Sequence, residues 1–431
     1  MSKELQLDAA NTTSRAVRGL AASGWFTRLI RNKFFGVLEH LQGAHLQIDE
    51  RFDGGTRMQF GPKDARIQAA VRILDPAAYV QLVFGGDIGA GEAFMDGLWE
   101  SDDLESVVRA FICDDSLLSH EEGGLAGLTQ PLYQLLHRRR RNSKEQARRN
   151  ISAHYDLGNA FYEQWLDSRM LYSCGIYPEG GDLEAAQMEK IDRICRKLNI
   201  QPGDSLLEIG TGWGAMALHA AEHYGARVTT TTISSEQAAW ARDQVAQRGL
   251  GEQVTILEDD YRDLKGQFDH LISVEMIEAV GRDYFQTYFQ QLGALLKPSG
   301  KALIQAITIR DQDYESYSKR TDFINQYIFP GGCLPSVELI LKGVAANTEL
   351  RLDHMEDIGL HYARTLRDWY QRLLQNRNKL PRANQSERFM RMWTYYLLSC
   401  AGAFAERRIG TVQMLFAGPS ADRDVALPQY G

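Results

Sequence analysis

The spacing of apolar and polar positions predicts a parallel α/β sheet in the second half of the chain. Residues 206–209 form a mostly apolar run, which is typical of a buried strand. The run leads into three alternating glycines, Gly210, Gly212 and Gly214, and residues 215–223 are helix formers with apolar spacing. A strand, a tight turn and a helix in this order are typical of the start of a nucleotide-binding α/β sheet.

The pattern is different in the first part of the chain. Residues 45–83 alternate apolar and polar positions in short segments, and a glycine-dense turn is predicted at residues 84–92. We therefore expect a small α+β accessory domain over residues 1–135. The basic stretch at residues 136–150 is interpreted as a linker, and a catalytic domain is expected over residues 151–431.

The strand after the glycine turn helps to identify the cofactor. A dinucleotide enzyme needs an acid near the end of this strand, about 20 residues beyond the glycines, to bind the ribose. Residues 226–233 contain no acid, and the next one is Glu236. Glu208, by contrast, lies where a carboxylate can bind a cationic ligand, and the glycines let the backbone approach that ligand closely. The pattern favours S-adenosylmethionine, a cation without phosphate, over NAD.

Composition narrows the class of protein. A chain of 431 residues with 44% hydrophobic composition is long enough for two domains with full cores. A net charge of −8 and a pI near 5.8 argue against a nucleic-acid-binding protein. No apolar run approaches the roughly 18 to 20 residues that span a bilayer, and the N-terminal stretch has no apolar signal region, so we expect a cytoplasmic location. The five cysteines form no C-x-x-C pair, so we expect neither a disulfide framework nor a metal site.

Two segments have the composition of a membrane-docking surface. The basic run consists of Arg138 to Arg141, with Lys144, Arg148 and Arg149. It is either a solvated linker or an anchor for anionic lipid headgroups. Residues 25–35 mix bulky apolar and basic residues at helical spacing. Such a helix packs on the domain core, lies in a membrane interface or forms a homodimer surface, and the sequence leaves these alternatives open.

Six motifs occur in order between the linker and the C-terminus. They are His154-Tyr155-Asp156, Tyr172-Ser173-Cys174, the Gly210–Gly214 turn, Thr232-Ile233-Ser234-Ser235-Glu236-Gln237, Tyr327-Ile328-Phe329-Pro330-Gly331-Gly332 and Cys400-Ala401-Gly402-Ala403-Phe404. Together they resemble the cyclopropane-fatty-acyl-phospholipid synthase family, which includes the mycolic-acid-modifying enzymes. The resemblance extends from about residue 84 to residue 404.

The resemblance implies both a fold and a reaction. The fold is a Rossmann-like class I methyltransferase sheet with a helical lid, for which the aromatic residues 160–166 are candidates. The reaction transfers a methylene group from S-adenosylmethionine to the cis double bond of unsaturated phospholipid acyl chains, forming a cyclopropane fatty acid. The resemblance also implies a bound bicarbonate ion as the base. Membrane phospholipids are then the expected partners, reached by peripheral association with the inner face of the membrane.

The resemblance also assigns candidate site residues. The catalytic candidates are Cys174 and Ile307 through their backbones, the carboxylate of Glu278, Gln305, the hydroxyl of Tyr362, and Cys400. Of these, Cys400 lies in an apolar helix and is expected to be a packing cysteine rather than a nucleophile. The cofactor candidates are Tyr155, Tyr172 and Ser173 at the methionine end, Gly210 and Gly212 in the turn, Thr232, Ile233 and Gln237 near ribose and adenine, and Asp260 and Tyr261 near adenine.

Two positions depart from the family pattern. Many members have His where this chain has Gln305 and Ala279. Glutamine donates and accepts hydrogen bonds but carries no proton or charge near neutrality. The departures leave open a related lipid C-methyltransferase that forms a methyl or methylene branch, a small-molecule methyltransferase, and a lipid-binding protein with a silent methyltransferase fold. Glu275 has no clear role in the better-known members.

Overall fold

A computed structural model describes residues 24–114, 146–147 and 157–422. The described residues form two compact units. The first comprises 24–114, Lys319–Ile328 and Pro381–Arg408, and the second comprises 146–147, 157–318, Phe329–Leu380 and 409–422. Two segments that the sequence analysis placed in the catalytic domain thus group with the N-terminal residues. The predicted linker lies outside the described residues apart from 146–147, and the predicted boundaries stay a prediction.

The first unit is built on a small sheet. Its N-terminal elements are α1 (Gly24–Leu38), β1 (Ala44–Glu50), β2 (Arg57–Phe60), β3 (Ile67–Ile73), α2 (Ala77–Met95), β4 (Trp99–Glu100) and α3 (Leu104–Ile112). The strand order is β2-β1-β3-β4, with β1 and β3 parallel and the other pairs antiparallel. Every second residue of β1 and β3 is buried, so the alternation seen in the sequence buries one face of each strand.

One local prediction in this unit is wrong. The glycine-dense residues 84–92 do not form a turn but lie inside helix α2. The helix is kinked at Gly86, whose φ of 54° interrupts the helical backbone. Most of residues 88–95 beyond the kink are buried, so packing continues the helix where local composition predicted a loop.

The second unit contains the larger sheet and its covering helices. Its elements are α4 (Asn159–Tyr162), α5 (Leu183–Leu198), β5 (Ser205–Ile209), α6 (Ala215–Tyr224), β6 (Arg227–Thr231), α7 (Ser235–Gln247), β7 (Val254–Leu257), β8 (Phe268–Val274), α8 (Phe285–Leu295), β9 (Leu296–Ile309), α9 (Asp311–Tyr317), α10 (Val337–Asn347), β10 (Arg351–Asp357), α11 (Gly359–Gln375) and β11 (Ile409–Ala417). Helix α12 (Glu387–Ala405) comes between α11 and β11 in the chain but belongs to the first unit. Short 3₁₀ turns of this unit lie at Tyr261–Asp263, Ile277–Ala279, Arg282–Tyr284 and Arg377–Lys379. The 3₁₀ turn Arg382–Asn384 and the π-helical turn Ile324–Ile328 belong to the first unit.

The topology of the larger sheet determines where a ligand can bind. Its strand order is β10-β11-β9-β8-β5-β6-β7, in which β11 is antiparallel to its neighbours and the pairs from β9 to β7 are parallel. The chain runs outward from β5 to β7 and then returns to place β8 on the other side of β5. Ligands of open α/β sheets bind beyond the carboxyl ends of the strands at such a reversal. The residues that follow β5 and β8 are therefore the first candidates for a site.

Apolar side chains cover both faces of this sheet. One buried cluster includes Leu207, Leu271 and Phe289, and another includes Leu206, Ile194 and Leu303. Successive residues of β5 thus enter opposite cores, as the pleat requires. Within the described ranges, none of the helices combines the length and apolarity needed to cross a membrane.

Candidate active site

Two glutamates lie directly beyond the carboxyl end of β8. Glu275 follows the last strand residue and has a backbone φ of 48°, and Glu278 lies in the 3₁₀ turn Ile277–Ala279. Strand β9 runs beside β8, and Val274 is in register with Gln305. The sheet therefore brings the carboxylates close to the candidate residues of β9.

The carboxylate of Glu275 accepts three hydrogen bonds. The backbone N–H of Cys174 and the side-chain amide of Gln305 donate to Oε1, at 2.9 and 2.8 Å. The hydroxyl of Tyr362 donates to Oε2 at 2.7 Å. Donors from a loop, a strand and a helix of the second unit thus converge on one carboxylate. Cys174 contributes its backbone N–H, while its thiol donates to the carbonyl of Gly175.

Among the described residues, the carboxylate of Glu278 accepts fewer hydrogen bonds than that of Glu275. Its Oε1 accepts a hydrogen bond from the backbone N–H of Ile307 at 2.5 Å. Its Oε2 is buried and has no partner among the described residues. The backbone carbonyl of Glu278 accepts from the N–H of Cys333 at 2.8 Å, which fixes the turn.

Burial and proximity decide how this pair is charged. Burial, together with the negative charge of Glu275, raises the pKa of Glu278 to about 8. Burial also raises the pKa of Glu275, but its three donors and the ammonium of Lys190 act in the opposite direction. The carboxylate with more donors keeps the negative charge, so Glu278 is the partner that is protonated near neutral pH.

Lys190 is the buried cation of this region. Its Nζ donates to the hydroxyl of Ser173 at 2.6 Å, and its side chain is inaccessible to solvent. Burial lowers the pKa of Lys190, while the nearby carboxylates Glu275, Asp167 and Glu208 raise it. An ammonium at this position offsets part of the penalty for burying a carboxylate.

A chain of buried hydrogen bonds fixes the orientation of Gln305. The Oε1 of Gln305 accepts from Nε2 of Gln413 at 2.9 Å, and the Oε1 of Gln413 accepts from Nζ of Lys197 at 2.7 Å. An ammonium only donates, so Gln413 must direct its oxygen to Lys197 and its NH₂ to Gln305. Gln305 must then direct its own NH₂ to Glu275.

The predicted bicarbonate ligands are brought together, but the surroundings do not fit that ion. Cys174, Gln305 and Tyr362 donate to Glu275, and the N–H of Ile307 donates to Glu278. A further anion would therefore lack these donors and would lie beside a buried carboxylate. Two like charges 4 Å apart repel by about 4 kcal/mol at an effective dielectric constant of about 20.

The glycine turn after β5 fits a cationic ligand that approaches the backbone closely. Gly210, Gly212 and Gly214 have φ values of 104°, 52° and 94°, which disfavour residues with a Cβ. Glu208 is buried, accepts a hydrogen bond from Thr230 Oγ1 at 2.6 Å, and has a pKa raised to about 8 by burial. A buried carboxylate beside a glycine turn suits the positive groups of S-adenosylmethionine.

The remaining cofactor candidates follow strands β6 and β7, and they differ in whether their polar groups have hydrogen-bond partners. Thr232 donates to Gln237 at 3.0 Å, at the junction of β6 and α7 that also contains Ile233. Asp260 accepts a hydrogen bond from Arg262 at 2.7 Å and forms an ion pair with it. The buried hydroxyl of Tyr261 has no partner among the described residues.

Aromatic side chains form a wall near the loop that carries Cys174. Tyr172 contacts Tyr162, Trp165 and Trp369 at ring-centroid distances of 5.7, 5.3 and 5.2 Å. The predicted aromatic helix at 160–166 is in fact the single turn α4, but its rings are buried as expected. Tyr155 lies outside the described residues.

Cys400 lies in a different unit from the other candidates. It belongs to α12 of the first unit, whereas the carboxylates and the glycine turn belong to the second. Burial raises the pKa of its thiol, with a further contribution from Asp322 and Asp87. A protonated thiol of this kind fits the packing interpretation.

Sequence reasoning missed Glu275, which accepts hydrogen bonds from three different residues, together with the supporting residues Lys190, Lys197 and Gln413. Two signals pointed to Glu275: it lies three residues before Glu278, and Gln305 replaces the usual histidine. Within the part of the chain that the structure describes, no group of three or more His, Cys, Asp or Glu side chains is placed to hold a metal ion.

Comparison with known sequences identifies related proteins. A family model described as mycolic acid cyclopropane synthetase matches residues 142–414. The cyclopropane-fatty-acyl-phospholipid synthase of Escherichia coli (strain K12) is 38% identical over 358 residues, which cover 81% of this chain and 88% of the relative. The tuberculostearic acid methyltransferase UfaA1 of Mycobacterium tuberculosis is 39% identical over 331 residues, with coverages of 74% and 76%.

Solved structures show the same sheet. The cyclopropane synthase MmaA2 from Mycobacterium tuberculosis is 30% identical, with a TM-score of 0.58, and the match covers 63% of this chain and 98% of that one. The mycolic acid cyclopropane synthase CmaA1, in complex with SAH and CTAB, is 29% identical with the same TM-score and coverages. The predicted class I methyltransferase fold is confirmed.

Proposed function

Because the chain belongs to the mycolic acid cyclopropane synthetase family of S-adenosylmethionine-dependent enzymes, we propose that it acts on unsaturated phospholipid acyl chains. In this proposal it adds a methylene group across a cis double bond and forms a cyclopropane fatty acid. The observation that carries the proposal is the half-buried pair Glu275 and Glu278, at the strand end next to the glycine turn. Methyl transfer to an alkene leaves a carbocation, and the step that requires a base is removal of a proton from this cation, as in ring closure.

Different groups of the protein bind the cofactor and protect the reacting atoms from water. The cofactor supplies an electrophilic methyl group on a sulfonium. The glycine turn and Glu208 hold it by close backbone approach and opposite charge. The aromatic wall around Tyr172 excludes water, which protects a carbocation from capture. The predicted bicarbonate is not part of this proposal, because three of the donors expected to bind it contact Glu275.

Product analysis tests the proposal. The protein is incubated with methyl-labelled S-adenosylmethionine and vesicles whose phospholipids have cis-unsaturated chains, with fully saturated vesicles as the control. We expect label in the lipid fraction, a mass gain of one CH₂ unit, and proton resonances of a cyclopropane methylene. Label confined to a water-soluble product would contradict the lipid substrate.

A second product is favoured by one finding. The identity to the tuberculostearic acid methyltransferase is similar to that of the synthase, so a methyl or methylene branch is the alternative. A methylene branch has the same mass as the ring, but its vinylidene protons resonate in the alkene region. A saturated methyl branch is heavier by two hydrogens and requires a reductant. The same product sample therefore separates the three outcomes.

We further propose that the protein reaches its substrate from the inner face of the membrane through helix α1. Trp25 and Leu29 on this helix are 72% and 46% exposed, and Arg28 lies between them. The basic run that was predicted to assist docking lies outside the described residues. Replacing Trp25 and Leu29 by Ala should weaken sedimentation with anionic vesicles, while Leu74→Ala, another exposed leucine, serves as the control. Unchanged vesicle binding with loss of a dimer would assign α1 to the homodimer alternative.

A further inference from the structure

The strongest unexplained feature of the site is that a side chain of the protein occupies the predicted anion position. The groups assigned to bicarbonate by resemblance were the backbone of Cys174, the side chains of Gln305 and Tyr362, the carboxylate of Glu278 and the backbone of Ile307. The first three donate to the carboxylate of Glu275. We propose that Glu275 replaces bicarbonate in this enzyme and is itself the general base of ring closure. The proposal rests on the proposed function.

The chemistry of the two anions supports the replacement. Bicarbonate and a glutamate carboxylate both offer a planar O–C–O group that accepts hydrogen bonds in its plane. The donors of this site are distributed over both oxygens of Glu275, two on Oε1 and one on Oε2. A carboxylate on the chain is also present in every molecule, whereas a free ion must be bound from solution.

The backbone of Glu275 has a conformation that residues other than glycine rarely adopt. Glu275 has φ of 48°, in the left-handed region that favours glycine. An outlier of this kind persists where surrounding contacts hold it, and such outliers concentrate at functional sites. Here the contacts that hold the residue are the three hydrogen bonds to its carboxylate and one from its own N–H to the carbonyl of Gln305 at 2.8 Å.

The proposed step balances as follows. The π electrons of the double bond form a bond to the methyl carbon as the carbon–sulfur bond breaks, and its electron pair stays on sulfur. The positive charge moves to the acyl chain as a carbocation. The carboxylate of Glu275 then accepts a proton from the transferred methyl, and the electron pair of that C–H bond closes the ring. The products are a neutral thioether, a cyclopropane and a protonated Glu275, which releases its proton to solvent.

Direct binding of bicarbonate tests the replacement without relying on turnover. Carbon-13-labelled bicarbonate is titrated into the full chain in the presence of S-adenosylhomocysteine and followed by line broadening in carbon NMR. We expect no saturable broadening for wild type and saturable broadening for Glu275→Gly, because glycine suits the left-handed backbone and leaves its three donors free. Saturable binding to wild type that is undiminished relative to the glycine variant would overturn the proposal.

Chemical rescue tests the role as base. Both Glu275→Gly and Glu275→Gln should turn over about 10²-fold or more slowly than wild type in buffer depleted of carbon dioxide. Bicarbonate should restore activity saturably to the glycine variant alone, because glutamine fills the anion position without supplying a base. Activity of the glutamine variant close to that of wild type would show that Glu275 is not the base.

Controls separate the possible failures. Thermal melting and affinity for S-adenosylhomocysteine should match wild type in both variants, and the glutamine variant keeps the proposal testable if the glycine variant does not fold. If wild type modifies no lipid at all, the proposed function fails, but the bicarbonate titration still decides whether Glu275 occupies the anion position.

Discussion

Two glutamates near the carboxyl ends of neighbouring strands, the buried Glu208 and the half-buried Glu275, have different surroundings. Glu208 lies in β5 before the glycine turn, and Glu275 follows β8. Among the described residues, the Glu208 carboxylate accepts a hydrogen bond from the hydroxyl of Thr230, whereas Glu275 accepts from three donors. Burial raises the pKa of both carboxyl groups, and in both cases Lys190 acts in the opposite direction.

The difference in donors indicates different roles. A buried carboxylate with one donor is stabilised as an anion chiefly when a cation binds beside it, which suits recognition of a sulfonium or ammonium group. A carboxylate with three donors is held as an anion in a fixed geometry before the substrate arrives, which suits catalysis. The prediction is that loss of charge at Glu208 impairs binding, whereas loss at Glu275 impairs turnover.

The largest expected effect is on turnover. Glu275→Gln should lower kcat by about 10² to 10⁴-fold, the usual range for removing a general base. Affinity for S-adenosylhomocysteine, measured by calorimetry, should stay within a few-fold of wild type. A variant that loses affinity and keeps kcat would reverse the roles of the two glutamates.

Glu208→Gln should show the opposite pattern, with weaker cofactor binding and nearly unchanged turnover. Removing one charge from a buried charged pair costs about 2 to 5 kcal/mol, so affinity for S-adenosylmethionine should fall at least tenfold. Turnover at saturating cofactor should change much less. Comparing KM and kcat of this variant with those of Glu275→Gln provides a matched test, since both exchange a buried carboxylate for an amide.

Lys197 donates to both Gln413 and Glu356, and we expect it to affect the catalytic region through the amides of Gln413 and Gln305. Lys197→Met removes the donor that orients Gln413, so both Gln413 and Gln305 become free to rotate. We expect a severalfold lower kcat with unchanged cofactor affinity. Lys197→Arg retains a donor and should recover part of the loss. Equal kcat in the methionine variant and wild type would show that the amide orientation is fixed by other contacts.

The last prediction concerns how stability depends on pH. The pKa of Glu208 is about 8 in the folded chain and 4.5 as a free side chain. A pKa raised by folding contributes stability that is fully present below the unfolded value and is lost as pH rises through the folded one. The free energy of unfolding of wild type relative to Glu208→Gln, measured by urea denaturation without cofactor, should therefore fall between pH 4.5 and about 8. A flat difference would show that Glu208 stays ionised.

Much of the sheet could be predicted because its signals are local. The apolar run before Gly210 and the helix formers after it identified β5 and α6 from adjacent residues. The kink of α2 could not be predicted, because burial of residues after Gly86 decides whether the helix continues. The grouping of 319–328 and 381–408 with the first unit also depends on contacts between distant segments.

The site was predicted in part for the same reason. Cys174, Gln305 and Tyr362 lie in motifs that resemble a family, and the structure brings all three together. The role of Glu275 depends on a backbone conformation and on donors up to 101 positions away along the chain, which no local pattern encodes. A motif identifies the donors of a pocket, but the structure shows which anion they bind.

The most direct test of the central claim is the rate of wild-type enzyme as a function of bicarbonate. Lipid methylation is measured in sealed buffer stripped of carbon dioxide and again after stepwise addition of bicarbonate at constant pH and ionic strength. If Glu275 is the base, the rate is the same throughout. A rate that collapses in stripped buffer and recovers saturably with bicarbonate would contradict the account.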